Sequence, residues 1–158
     1  MIARIDLHPD LVQAASASRI DEWRVAIHAL VDDATLGVEG PVSLFVDRDP
    51  GGLMIVWLRD GTAVARTPVL TSALARHLDE YESVCRQLAA LDEGAGGQRL
   101  EALDMAKKLA HDDAARTLRA LVEPIAPDHA TSRRLFTLVF ELLVDTSRLH
   151  LAHRRHGA

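Results

Sequence analysis

The sequence is poor in most of the residues that announce a chemistry. Cysteine occurs once, at Cys85, which excludes an internal disulfide and any Cys-x-x-Cys redox or metal pair. Aromatic residues make up only 4% of the chain, and none alternate with basic residues as a single-stranded nucleic-acid platform requires. Positive charge is in deficit. The 18 Lys and Arg against 23 Asp and Glu leave a net charge of −5, which speaks against a phosphate-backbone binder. No apolar run approaches the ~20 residues that cross a bilayer, and the longest, LFTLVFELLV, is interrupted by Glu141. The opening MIARIDLHPD carries Arg4, Asp6 and His8 where a signal peptide needs an apolar stretch. Gly-rich phosphate loops and nucleophile elbows are missing, and DPGG at 49–52 reads as a turn. These gaps predict a cytoplasmic protein with no cofactor and neither membrane nor nucleic acid as a partner.

What is present is ordinary globular material. The 158 residues are 48% hydrophobic and 26% charged, enough for a single α+β domain over 1–158. IARIDL (2–7) alternates apolar and polar residues as a half-buried strand does. Ile20, Trp23, Ile27, Leu30 and Val31 form one helical stripe, predicting a helix over 19–33 with Ser18 as its cap. VSLFVDRD, LMIVWLRD and TAVARTPV follow, the last two separated by Asp60-Gly61, the chemistry of a tight hairpin. The expectation is a small antiparallel sheet: the N-terminal strand plus a three-strand meander over 42–67. Its middle strand is apolar on both sides, so each face needs cover or a partner.

The C-terminal half reads as all-helical, giving about four helices in all. Leu74, Leu78, Tyr81, Cys85 and Leu88 mark a helix over 72–91, with Cys85 as a small buried hydrophobe. A second covers 98–121, either continuous or broken near His111. Asp128 caps a third, running to about residue 153 and apolar nearly all round from Leu135 to Val144. That marks it as central to the core or to an oligomer interface. His8, before Pro9, reads as part of a plain loop.

Two sets of residues resemble a known family. EALDMAKKLAH followed by TSRRLFTLVFEL, and earlier IDEWRVAIHALVDDATL, GPVSLFVDRDPGGLMIVWLRDGTAV and LARHLDEYESVCRQL, are similar in order and spacing to a bacterial uncharacterised protein family, UPF family 0262. The likeness runs from about Ile2 to Leu142, with departures at Lys107, Lys108 and Asp112-Asp113-Ala114 that make the chain a divergent member. It implies one small bacterial domain and no particular reaction.

The candidate site lies in LDMAKKLAHDDAARTL (103–118). At 100° per residue, Leu100, Leu103, Ala110, Ala114, Leu118 and Leu121 share an arc of about 80°. Lys107 and His111 fall inside it and Asp104 at its edge, while Lys108 and Asp112 look outward. The plainer account is a snorkelling lysine and a hydrogen-bonded structural histidine. The functional account has Lys107, Lys108, Arg133 and Arg134 holding an anion at the start of the last helix. Asp104, His111 and Glu141 would then be acid/base candidates. Glu141, alone in its apolar run, needs a partner or stays protonated.

No metal is expected. The weak alternative is His150, His153 and His156, spaced by three in a short basic tail (about 150–158) beside Arg154 and Arg155. The leading functional expectation is a non-enzymatic interaction or regulatory domain that pairs with itself as a homodimer or with another protein. The alternative is an enzyme or sensor for a small anionic ligand, phosphorylated or nucleotide.

Overall fold

The computed structural model describes residues 1–91 and 96–146. Its elements run β1 (Ile2–Leu7), α1 (Pro9–Gln13), α2 (Ala17–Asp32), β2 (Val42–Asp49), β3 (Gly52–Arg59), β4 (Thr62–Leu70), α3 (Thr71–Ala89), α4 (Gly97–Leu121) and α5 (His129–Leu143). The class is α+β, as the sequence predicts, and the C-terminal half is helical.

The four strands lie in the order β1-β2-β3-β4. The meander is antiparallel, and at its β3–β4 turn Asp60 and Gly61 both take positive φ, 50° and 78°. That is the conformation for which Asp-Gly is chosen. The expected all-antiparallel sheet needs correction at its edge, because β1 pairs with β2 in parallel. Two helices separate the strands, and such a crossover returns the chain to the end from which it started. The first of them, α1, stands where the sequence suggests a loop. His8 is its N-cap, with Nδ1 accepting from the Asp10 N–H at 3.1 Å. Ser16, not Ser18, caps α2, accepting from the Arg19 N–H at 3.3 Å. The helix begins two residues earlier because Ser16 holds the extended backbone that a cap requires.

One face of the sheet supplies the core. Ile2, Leu44, Ile55, Trp57 and Val69 are buried against Trp23, Leu30, Leu74, Leu118 and Phe136 from the helices. Trp57 is wholly enclosed, and its indole N–H donates to Thr67 Oγ1 at 3.2 Å. The opposite face carries a cross-strand row, Asp6–Phe45–Val56–Arg66, flanked by Met54 and Leu58. The two apolar sides of β3 therefore have different fates: one is under helices, while the other forms a strip on which Phe45, Met54 and Leu58 are half-buried.

Asp128 caps α5 as expected, accepting from the Thr131 N–H at 2.8 Å. The helix ends at Leu143 rather than near residue 153, and residues beyond 146 lie outside those described. Its apolar circumference is used within the chain, since α5 packs on α2 and α4 and buries Leu135, Phe136, Leu138, Val139 and Phe140. Such a helix belongs at the centre of a helical layer. α4 is a single helix through His111, with no break.

Candidate functional site

The sequence places Lys107 and His111 within the α4 apolar arc, and the structure leaves both half-buried, at the border of the core. His111 packs its ring on Tyr81 and Phe136, with centroids 5.3 and 5.8 Å away. Its Nε2 lies 2.8 Å from the Arg133 backbone oxygen and 3.1 Å from Thr137 Oγ1. A carbonyl only accepts, so Nε2 carries the proton and Nδ1 offers its lone pair to the Arg133 guanidinium at 3.4 Å. Burial, and then the nearby Arg133 charge, holds its pKa below the ordinary imidazole value. A neutral ring with both nitrogens engaged inside the chain results.

The four cations of the predicted anion site do not converge. Arg133 pairs through Nε with Asp112 at 3.2 Å, and Asp112 also meets His129 at 3.0 Å. Asp112 was expected to look outward and instead turns to the start of α5. The hydrogen bond from His129, followed by the Arg133 charge, keeps its carboxyl below the usual range. Arg134 points the other way, donating to the Asp33 backbone oxygen at 2.8 Å and pairing with its carboxylate at 3.2 Å. Consecutive helical residues diverge by 100°, which separates the two arginines. Lys108 is exposed. At the start of α5 the Thr131 N–H is met by the Asp128 side chain and the Ser132 N–H by the Asp128 backbone oxygen.

Lys107 instead reaches a cleft of about 500 Å³ between α3, α4 and α5. Tyr81, Cys85, Asp104, Thr137, Glu141 and Thr146 supply its other polar groups, and Leu88, Leu100 and Phe140 its main apolar walls. The Lys107 ammonium sits 6.0 Å from the Tyr81 ring centroid, at the outer reach of a cation–π contact. Asp104 stands exposed at the rim. Glu141 is half-buried, and its Oε2 is shielded from solvent with no hydrogen-bond partner. Burial, reinforced by the negative charge of Glu22, lifts its pKa from 4.5 to about 8. Burial also raises the Cys85 thiol and the Tyr81 hydroxyl.

Of the expected site residues, Asp104, Lys107 and Glu141 share this cleft, His111 and Arg133 form a polar network beside it, and Lys108 and Arg134 are apart. His150, His153 and His156 lie outside the described residues. Tyr81, Cys85 and Thr137 were not anticipated as site residues. The stripe that carries Tyr81 and Cys85 reads as core, and only the docking of three helices reveals that one end of it is open.

Fold and cleft together define a small α+β protein with a one-sided helical layer and a ligand-sized opening between its last three helices. The chain belongs to Uncharacterised protein family (UPF0262), whose family model matches residues 1–145, as the resemblance in its motifs implies. A UPF0262 protein of Maricaulis maris is 32% identical over 147 residues, covering 89% of this chain and 92% of that one. Another, from Methylobacterium radiotolerans, is 27% identical over 146 residues, covering 89% and 91%. A third, from Novosphingobium aromaticivorans, is 30% identical over 152 residues, covering 87% and 93%. All three are bacterial. No solved structure matches the chain. Among the described residues no helix is long and apolar enough to cross a membrane.

Proposed function

We propose that the protein is a binding module, regulatory rather than catalytic, for a small organic acid with an apolar body and a single carboxylate. The observation that carries this reading is that one largely apolar cleft has both Lys107 and Glu141 on its walls, with Glu141 Oε2 lacking a hydrogen-bond partner. Lys107 provides one point cation, suited to one negative charge. A doubly charged phosphate calls for more, and Arg133 and Arg134 are committed elsewhere. Near neutral pH a Glu141 with a pKa of about 8 is mostly protonated and donates a hydrogen bond instead of repelling an acid. Cys85 and Tyr81 are likewise held protonated and offer donors, not a nucleophile or base, and the carboxylate of Asp104 stands at the exposed rim.

The test is calorimetry and thermal shift with octanoate and benzoate as probes, beside inorganic phosphate and nucleotides. At a hundredfold excess over Kd a true ligand adds about 2.7 kcal/mol of stability. Lys107→Met should lose carboxylate binding while keeping its unliganded melting temperature. A flat response to both carboxylates sinks the reading, and a response to phosphate or nucleotide alone replaces it with the phosphorylated-ligand alternative.

A second reading, self-association as a homodimer, is favoured by the outer face of the sheet. The row Asp6–Phe45–Val56–Arg66 begins acidic, is apolar in the middle and ends basic. Two copies related by a twofold axis across that row set each Asp6 against the other copy's Arg66, which is an isologous contact. Light scattering of the wild type and of Arg66→Glu decides it: a dimer that the substitution splits supports the reading, and a monomeric wild type ends it.

A further inference from the structure

Away from the cleft, on the other flank of the α3–α4 pair, three side chains converge that no part of the reading above uses. His77 is buried, 4% exposed, which is rare for a histidine with a nitrogen to spare. Its Nε2 lies 2.8 Å from Thr117 Oγ1, while its Nδ1 is shielded from solvent and has no hydrogen-bond partner. In the tautomer with the proton on Nε2, donated to the Thr117 hydroxyl, Nδ1 carries a bare lone pair. That lone pair faces Asp113, whose Oδ2 is 3.7 Å away, and Glu80 stands one helical turn along α3. One ligand atom from each of His77, Glu80 and Asp113 lies within 4.8 Å of the others.

We infer that His77, Glu80 and Asp113 form a binding site for a divalent first-row transition-metal ion. One imidazole nitrogen and two carboxylates are the donor set of zinc, manganese or ferrous iron, and not of a soft ion. The His-x-x-Glu spacing sets two ligands on one face of α3, and Asp113 reaches over from α4. Thr117 acts as the outer partner that metal-binding histidines require, fixing the ring orientation and the tautomer.

Geometry sets what must move. Ligand atoms ~2.0 Å from a tetrahedral zinc lie about 3.3 Å apart, so the carboxylates close by up to ~1.5 Å. Their side chains are 48% and 46% exposed, and a rotation about one or two bonds covers that distance. Arg76 now spans them, 3.7 Å from Glu80 and 3.5 Å from Asp113, with its own side chain 68% exposed. Such long, solvent-screened contacts yield readily to a divalent ion. Three protein ligands leave a coordination position for water, towards the broad groove between α3 and α4 that Glu80, Ser83, Asp113 and Arg116 line.

The test uses the full chain, stripped of metal and titrated with zinc by calorimetry and with cobalt by its visible d–d absorption. One tight ion per chain is expected. Asp113→Asn and Glu80→Gln, which keep shape and spare the buried His77, should each weaken binding at least about tenfold with unchanged circular dichroism. A triple His150→Ala, His153→Ala, His156→Ala variant should bind as the wild type does. No uptake by the wild type overturns the site. So does binding that the tail variant abolishes and that Asp113→Asn leaves intact.

Discussion

Lys107 and Glu141 line the same cleft from neighbouring helices and form no ion pair with each other. Among the described residues Glu141 Oε2 has no hydrogen-bond donor at all. An acid left this way inside a fold stays neutral, and its neutrality costs stability wherever the unfolded chain would ionise it.

The pH dependence follows from that. Glu141 holds its proton more tightly in the folded protein, with a pKa of about 8 against 4.5. The unfolded state therefore releases the proton first, and stability falls as pH rises from about 4.5 to about 8, then levels. The loss is on the order of a few kcal/mol at most, reduced by the solvent that still reaches the side chain. Glu141→Gln should flatten this slope and melt higher than the wild type at pH 8.5. Parallel melting curves from pH 5 to 9 for both proteins would refute it.

Cys85 should be a slow thiol. Burial keeps its proton on, so little thiolate is present at neutral pH. Its reaction with a disulfide reagent should lag well behind that of the same protein in denaturant, and a cleft-bound carboxylate should slow it further. A rate matching the denatured chain would contradict the burial of the thiol.

Thr67 exists for Trp57. Replacing it by Val keeps the shape and deprives a fully buried indole N–H of its acceptor. The expected loss is about 1–3 kcal/mol, read from denaturant unfolding. Thr67→Ser, which restores the oxygen, should recover part of it; equal losses for the two would assign the effect to packing.

The cap of α5 should show its worth in acid. Asp128→Ala removes the acceptor for the Thr131 N–H, at a cost of about 1 kcal/mol near neutral pH. Hydrogen bonding to Thr131 holds the Asp128 carboxyl below its ordinary pKa of 3.8. Its contribution is therefore complete above that value and fades as pH falls through the lowered one. Wild type and variant should converge in strong acid, and a gap that persists there would contradict the capping role.

Local chemistry was legible in the sequence, and contacts between distant segments were not. Asp60-Gly61 gave away the hairpin, Asp128 the start of α5, and the spacing of Leu74, Leu78 and Tyr81 gave away α3. The angular map of α4 put Lys107 and His111 within the apolar arc, and the structure leaves both half-buried. The map could not say that Asp112, on the supposed wet side, would be met by His129 and Arg133, because that depends on where α5 docks. The adjacent arginines looked like a pair, yet a helix turns them onto different neighbours. His77 gave no signal, since its importance lies in Thr117 and Asp113, some forty residues away. The parallel pairing of β1 was hidden for the same reason: alternation shows that a segment is a strand, not which way its neighbour runs.

That pairing leaves the sheet with two unlike borders. On β4, Pro68 lacks an N–H and spoils the edge as a template. The other border is β1, six residues from the start of the chain carrying the exposed Arg4–Asp6 pair. Displacing β1 would lay open the backbone of β2, an eight-residue strand carrying Val42, Leu44, Phe45 and Val46, to any chain able to pair with it. β1 is thus the strand that covers the edge of β2.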